Sequence, residues 1–404
     1  MAQDPKINKP AQKPATATKT SAVTAAVPPS QSEKQKSVFE ESVGVFLAPV
    51  QMYLDDASVS EILVNGANEI FVERKGKLER VASKFSDEDA LQATVRNIAQ
   101  FVGRKFDDLN PTLDARLPDG SRVAAVMPPC SRKGTTLSIR KFSQGVPKLS
   151  DYIEWGSLTK DTARFLDICV FLAKNLIVSG GTGSGKTTLL NVLGSRVPSH
   201  ERLLIIEDSS ELKIFTDHVV YFETKHKDAL GKGEVTIRDL LKASLRLRPD
   251  RIVVGEVRGP EAMDLITAMS TGHGGSMGTV HANRPYDALV RLETLSMMGD
   301  TQVPIAAVRR QISASVQIVV QIKRLKDGSR RITEISEVLI DLDEAGRYQI
   351  QDIFRFEQKG VTPEGKIVGS LEPTGNLPTF MEEIEVNRLP FGRDKFEKKK
   401  PEAA

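Results

Sequence analysis

The chain reads Gly180-Gly181-Thr182-Gly183-Ser184-Gly185-Lys186-Thr187 near its middle, which is the pattern G-x-x-x-x-G-K-[ST] of a phosphate-binding loop. A short apolar run with strand character, 175–179, precedes this stretch. A segment with helical spacing, 187–193, follows it and ends at Gly194. A strand, a glycine loop and a helix in this order are the context in which the pattern binds a nucleoside triphosphate. The flanks therefore favour nucleotide binding over a glycine-rich turn without a ligand.

The residue types of the loop indicate how it would bind. Glycines allow backbone N–H groups to turn towards phosphate oxygens, and the start of the following helix adds partial positive charge. Lys186 is expected to meet the β- and γ-phosphates, and the Thr187 hydroxyl to hold Mg²⁺. The predicted nucleotide-binding residues are Gly180, Gly181, Thr182, Gly183, Ser184, Gly185, Lys186, Thr187 and Thr188.

Composition narrows the class of protein. A length of 404 residues predicts two or three domains, and the net charge of +3 gives no strong case for nucleic acid as a partner. The two cysteines make no disulfide framework, which favours a reducing cytoplasm. The N-terminus has no apolar stretch of the kind that a signal peptide needs, so we predict no signal peptide. The most apolar window, 165–178, is broken by polar residues and is too short to span a bilayer, so we predict no transmembrane segment.

Shifts in pattern along the chain predict four regions. Residues 1–36 lack a periodic apolar face and are expected to form a disordered tail, whose lysines could touch anionic lipid but are more simply solvated. Residues 37–145 predict an N-terminal α/β domain with a helix that Ser86 could cap. Its predicted strands are 60–64, 70–72, 121–127 and 135–140. Residues 146–345 alternate strands and helices, as in a mostly parallel sheet. Residues 346–404 are expected to form a C-terminal extension with a basic tail.

Acidic residues follow two of the apolar strands. Glu207, Asp208 and Glu211 come after the run 203–206, and Glu256 follows the run 251–254. Because parallel strands end at one edge of a sheet, these carboxylates are expected near the phosphates, where they could hold Mg²⁺ or orient water. Glu256 occupies the place of the second Walker acid, with Glu instead of the usual Asp. The predicted catalytic residues are Glu211, Glu256 and Glu207, with Thr187 and Glu256 as the Mg²⁺ residues.

Histidines and arginines supply further candidate phosphate contacts. His273 and His281 flank another apolar run; a phosphate sensor fits them better than a zinc site, because no cysteine lies nearby. Guanidinium groups match phosphate oxygens, and arginines concentrate near the boundary between the two modules. We therefore expect the modules to close over the nucleotide, although any single arginine could be merely solvated. The candidates for phosphate contact are Arg116, Arg122, Arg140 and Arg258.

The motifs together resemble those of the type II/IV secretion ATPase superfamily. From residue 180 onwards they are 180–188, 206–212, 233–240, 247–252, 255–259, 271–276 and 279–283. Within the superfamily, the motifs most resemble the CpaF/TadA-type ATPases of tight-adherence (type IVc) pilus systems. The segments 58–66, 117–123 and 139–142 extend the match through the first module. The resemblance covers about residues 50–345. The helical region before Ser58 is shorter than in many members, and the segment after 345 matches only loosely.

The resemblance implies an α/β fold, in which a RecA-like P-loop ATPase domain is preceded by a smaller α/β N-terminal domain. It implies ring-shaped homo-hexamers on the cytoplasmic face of the inner membrane, with ATP and Mg²⁺ as ligands and polytopic inner-membrane platform proteins as partners. Position by position, Glu207, Asp208 and Glu211 match the family's Asp box, and Glu211 would position the attacking water. Glu256 matches the Walker B acid, and His273 and His281 match the His box. The matching N-terminal-domain arginines, Arg116, Arg122 and Arg140, would reach phosphates of the same or a neighbouring subunit.

The function predicted on these grounds is a hexameric ATPase motor that assembles a tight-adherence pilus, with retraction left open. The nearest alternative is a traffic ATPase for protein secretion or conjugative DNA transfer. A nucleotide-gated scaffold without turnover is a second alternative, which the intact Glu211 and Glu256 disfavour. A nucleic-acid translocase is disfavoured by the near-neutral charge and the shortage of aromatic residues.

Overall fold

The computed structural model describes residues 43–398 except 75, 118, 142–144, 146, 226, 228–231 and 300–302. The tail predicted at 1–36 and the end of the basic segment, Lys399 and Lys400, lie outside the described residues. Two modules, each with its own sheet, make up the described chain.

The first module is a six-stranded antiparallel sheet with two helices. Its strands lie in the order β3-β2-β1-β6-β5-β4. Alternating residues of β1 and β2 are buried, and the apolar face of α2 packs on the same core through Leu91, Val95 and Ile98. The elements are α1 (Ala48–Asp55), β1 (Val59–Asn65), β2 (Ile70–Arg74), β3 (Lys77–Val81), α2 (Glu88–Phe101), β4 (Thr112–Arg116), β5 (Arg122–Val126) and β6 (Thr136–Arg140).

Local details of this module differ from the expectation. The cap predicted at Ser86 is wrong, because Asp87 is the N-cap of α2 and its carboxylate accepts from the Ala90 N–H at 2.7 Å. Strands β1, β2, β5 and β6 confirm the predicted strands. Strands β3 and β4 had not been predicted; β3 is almost wholly exposed and so carries no apolar alternation to detect.

The second module is a nine-stranded sheet in the order β15-β14-β13-β12-β7-β11-β10-β8-β9. The part from β12 to β9 is parallel, and β13–β15 extend it antiparallel. Its strands are β7 (Leu176–Gly180), β8 (Leu203–Glu207), β9 (Val219–Glu223), β10 (Arg251–Val254), β11 (Met277–Val280), β12 (Ile318–Arg324), β13 (Arg330–Val338), β14 (Ile350–Val361) and β15 (Ile367–Pro373). This arrangement confirms the predicted α/β fold class.

Helices cover both faces of the parallel part. The helices α3–α5 bury apolar residues in one cluster with the sheet, and α6–α9 do so in a second cluster on the other face. Strands buried on both faces read as continuous apolar runs, as β7, β8 and β10 do. The helices are α3 (Leu149–Glu154), α4 (Lys160–Phe171), α5 (Lys186–Gly194), α6 (Ile237–Ser244), α7 (Glu261–Ser270), α8 (Pro285–Ser296), α9 (Ile305–Ser315) and α10 (Met381–Val386).

The segment after residue 345 is part of this second core. Strands β14 and β15 continue its sheet, and aromatic rings from the C-terminal segment surround Phe165 of α4. The ring centroids of Phe380, Phe391 and Phe396 lie 6.1, 6.1 and 5.7 Å from that of Phe165. A short 3-10 helix, Arg393–Phe396, carries the last of these rings. The region set apart as an extension in the sequence thus completes the hydrophobic core beneath α4.

Candidate nucleotide-binding site

The glycine loop joins β7 to α5, as its pattern predicts. Gly183 and Gly185 have φ values of +69° and +98°, which residues other than glycine rarely adopt. A Cβ atom on Gly180 would lie 2.4 Å from the Ile322 carbonyl oxygen of the neighbouring strand β12. The glycines are therefore required by the backbone path and by the close approach of β12.

Lys186 opens helix α5 and folds over the loop. Its Nζ donates to the Gly181 carbonyl at 3.0 Å. Burial lowers the pKa of this ammonium, while the nearby Glu256 carboxylate acts to raise it. A triphosphate would offer this partly desolvated cation a stronger acceptor than a neutral carbonyl, which fits the predicted phosphate contact.

A cavity of about 630 Å³ lies beside the loop, in the cleft between the two modules. The first module contributes Arg122 and Arg140 to its wall, and the second contributes Glu211. The loop and its helix line it as well, through Gly183, Gly185, Thr187, Thr188 and Asn191. A site of this size between modules is where a nucleotide would fit.

Glu211 is tied to the first module. Its Oε1 lies 2.9 Å from Nη1 of Arg122 and 4.0 Å from Nη1 of Arg140. Arg116 points elsewhere: it pairs with Glu223 at the end of β9, at 2.9 Å, and does not line the cavity. The structure therefore places two of the three predicted arginines of the first module at the site, and Arg116 beside it.

Glu207 does not face the cavity. This buried carboxylate accepts from the backbone N–H groups of Glu211 and Leu212 at 2.8 and 2.9 Å. Burial raises its pKa to about 7, although the two amide hydrogen bonds act in the opposite direction. Both bonds are accepted by Oε1, which thus holds the backbone of the loop that carries Glu211. The catalytic role of Glu207 stays a prediction.

Glu256 lies beyond the end of β10, at the same edge of the sheet. Arg258 donates to its carboxylate and lies 3.8 Å from Asp208, and these acidic partners raise the pKa of Arg258. The phosphate contact of Arg258 stays a prediction. A bound nucleotide would have to compete with two carboxylates for this guanidinium.

The donor set fits Mg²⁺ held together with a nucleotide. Mg²⁺ in phosphate sites takes one or two carboxylates, substrate oxygens and water. Thr187 on the cavity wall and Glu256 near Lys186 provide a hydroxyl and one carboxylate. Among the described residues, no group of three or more His, Cys, Asp or Glu side chains could hold a metal ion by itself.

The two histidines lie at opposite edges of the sheet. Strand β11 pairs in parallel with β7, so His281, which follows it, lies at the loop edge. His273 precedes β11 and lies near the start of β7, where its carbonyl accepts from Ser276 at 2.7 Å. The strands separate the two by about 13 Å or more. His281 lies at the edge where a sensor would act, and His273 lies at the opposite edge of the sheet. Both sensor roles stay predictions.

The structure adds site residues that no motif had indicated. Nε of Arg330, at the start of β13, donates to the Gly183 carbonyl at 3.0 Å and lies on the cavity wall. Tyr152 and Trp155, from α3 and its C-cap, also line the cavity. Asn191 was detectable in principle, because it is a polar residue within the otherwise apolar run 189–193.

Comparison with known proteins gives one consistent family. A family model described as "Type II/IV secretion system protein" matches residues 46–360. The type IV secretion system protein VirB11 of Brucella suis is 34% identical over 328 residues, which cover 74% of this chain and 90% of that protein. The conjugal transfer protein TrbB of Rhizobium radiobacter is 33% identical over 289 residues, covering 70% of this chain and 85% of that one.

A solved structure extends the likeness to the fold. The structure described as the pilus retraction motor PilT with bound ADP has a TM-score of 0.51 and 18% sequence identity, and covers 85% of this chain and 87% of that one. At this identity the likeness shows the fold, which is the predicted pairing of a RecA-like domain with an N-terminal domain.

Proposed function

The chain belongs to the type II/IV secretion system protein family, and on that premise we propose that it is an ATP hydrolase that powers transport of macromolecules through a membrane-associated secretion or conjugation machine. The observation that supports turnover best is the cleft, in which Glu211 and two arginines of the first module face the phosphate-binding loop. A scaffold that only binds nucleotide has no need of a carboxylate held at that position.

Each residue has a distinct task in this proposal. The loop and Lys186 bind the phosphates of ATP, and Arg122 and Arg140 approach the γ-phosphate from the other module. Once the guanidinium of Arg122 turns to phosphate, the Glu211 carboxylate is free to accept a proton from the attacking water. Mg²⁺, held by Thr187 and Glu256, would supply positive charge to the phosphate oxygens. Exchange of charged partners across the cleft then couples nucleotide state to the relative position of the modules.

The proposal shifts the expected cargo. The tight-adherence pilus predicted from the motifs stays a prediction, whereas the named relatives are type IV secretion and conjugal transfer proteins. We therefore place secretion or conjugation first. Homo-hexamers, a platform protein in the inner membrane and a position at its cytoplasmic face are part of the same proposal. None of the helices in the described part of the chain is long and apolar enough to cross a membrane.

Hydrolysis is tested with the purified protein and Lys186→Ala. We expect the variant to lose ATP turnover, because it removes the ammonium that folds over the loop and would contact the phosphates. Lys359→Ala, on the exposed part of β14, is the matched control and should hydrolyse ATP at the wild-type rate. Normal turnover by Lys186→Ala would contradict the proposal.

The cargo is tested in the source organism. A deletion strain complemented with the wild-type gene or with Lys186→Ala is assayed for protein secretion, plasmid transfer and surface fibres. We expect only the wild-type gene to restore secretion or transfer. Loss of fibres with intact secretion and transfer would instead favour the tight-adherence pilus.

A further inference from the structure

Residues 208–214, here called the Glu211 loop, connect β8 to the segment before β9 without helix or strand structure. Since backbone N–H groups in a folded interior need acceptors, such a segment depends on side chains to hold it. The Glu211 loop obtains them from three elements. Glu207 of β8 binds two of its amides, and the Tyr221 hydroxyl of β9 binds both N–H and C=O of Ile214 at 2.9 Å.

The third element is the helix that follows the phosphate-binding loop. Asn191 lies on α5, and its Oδ1 accepts from the Lys213 N–H at 3.0 Å. The side chain is 7% exposed and lies on the cavity wall. Its neighbours Leu189, Leu190, Val192 and Leu193 are all buried and apolar. An asparagine in this environment is costly unless its polar atoms are used, and the hydrogen bond to the Glu211 loop is such a use.

We propose that Asn191 is a positioning residue, which holds the Glu211 carboxylate at the height of the γ-phosphate by fixing the Glu211 loop to the nucleotide-binding helix. The helix carries Lys186 and Thr187 at one end and Asn191 little more than one turn later. The same helix would therefore fix the positions of both the Glu211 loop and the bound phosphates. The proposal rests on the proposed ATP hydrolysis, in which it assigns Asn191 a role that none of the motifs had indicated.

The alternative to this proposal is a purely structural role, in which Asn191 only stabilises α5. A structural role would weaken folding or nucleotide binding and turnover together. A positioning role leaves the phosphate contacts intact and lowers kcat alone, because misplacement of about 1 Å at a catalytic group can cost on the order of 100-fold in rate. The ratio of kcat to ATP affinity therefore separates the two.

The test compares Asn191→Ala, Asn191→Asp and the control Asn97→Ala, which lies on α2 of the first module. Measured quantities are kcat, the Kd of ATP, and hydrogen–deuterium exchange of the peptide that covers 209–215. We expect Asn191→Ala to lower kcat by about 10- to 100-fold with Kd within twofold, and to speed exchange of that peptide. Asn191→Asp keeps the acceptor oxygen and should recover most of kcat and of the protection.

Three results would overturn the proposal: a kcat within twofold of wild type in Asn191→Ala, equal losses of affinity and turnover, or equal damage in the Ala and Asp variants. Failure of the proposed function is a separate result. If the wild-type protein does not hydrolyse ATP, hydrolysis is refuted. Exchange of the 209–215 peptide then still decides whether Asn191 fixes the loop, and an unchanged rate in Asn191→Ala would refute that as well.

Discussion

Glu207 ends strand β8 and Glu211 lies in the loop that follows it, and their different surroundings give the two carboxylates different roles. Glu211 lies on the cavity wall beside two arginines, Arg122 and Arg140. Glu207 is buried against the Glu211 loop, and a Cβ added to Gly255 would lie 2.9 Å from its Cγ. Glu211 therefore lies where it could contact substrate, and Glu207 supports the backbone of the loop that carries Glu211.

The raised pKa of Glu207 predicts a pH-dependent stability. Between pH 4.5 and about 7 the folded protein keeps a proton on this carboxyl that the unfolded chain has lost, so stability falls as pH rises through this window. The full difference is on the order of 3 kcal/mol. Glu207→Gln retains an acceptor oxygen without the charge.

We therefore expect Glu207→Gln to match wild type in free energy of unfolding near pH 4.5 and to exceed it by about 2–3 kcal/mol at pH 8. Urea denaturation across that range is the measurement. Parallel curves for the two proteins at all pH values would show that Glu207 is ionised without penalty. Asp341→Asn, an exposed carboxylate substitution, is the control and should show no such divergence.

Motifs predicted the residues of the site better than their contacts. Most of the predicted residues lie at or near one edge of the cleft: the loop, Glu211, Glu256, Arg122, Arg140 and His281. Arg116 and Glu207 were assigned by the same reasoning and turn to other partners. Sequence spacing indicates which strand end a residue occupies, but the direction of its side chain depends on packing against segments that are remote in sequence.

At the scale of elements, strand recognition depended on burial. Strands β7, β8 and β10, buried on both faces, were visible as apolar runs. Strand β4 carries Arg116 and has only Leu113 and Ala115 buried, so its alternation is too short to detect. The sequence also does not show at which edge of the sheet His273 lies. That edge depends on whether β11 runs parallel to β7, which the structure shows.

The C-terminal segment makes a prediction at this scale. Phe396 is 1% exposed, and its ring lies within 6 Å of those of Phe165, Phe354 and Phe391. Phe396→Ala should lower the free energy of unfolding by about 3–5 kcal/mol, because it removes a ring from a filled core. Val386→Ala, in the same segment but 80% exposed, should change it by less than about 0.5 kcal/mol.

Chemical denaturation of the two variants is the measurement. If Phe396→Ala unfolds like Val386→Ala, the segment after 345 is not part of the second core. The segment after residue 345 was predicted to be an extension because its apolar pattern is weak. Its aromatic residues are spread along the chain and meet only when β14, β15 and the last helices pack on α4.

At the scale of the whole molecule, the two modules share one site. The ion pairs Arg122–Glu211 and Arg116–Glu223 join them directly, and the cavity has walls from both. Such partly exposed pairs contribute little to stability, about 0–1 kcal/mol each, so they can exchange partners at low cost. A cleft joined by exchangeable ion pairs is suited to reopen after each hydrolysis.

The measurement that tests this account most directly is steady-state ATP hydrolysis by the wild type and Glu211→Gln over a range of protein concentrations. The account predicts that specific activity of the wild type rises with concentration as rings assemble. It also predicts that Glu211→Gln binds ATP with unchanged affinity while kcat falls by 100-fold or more, on the order expected for loss of a general base. Hydrolysis by Glu211→Gln at the wild-type rate would contradict the central claim that this carboxylate acts on the attacking water.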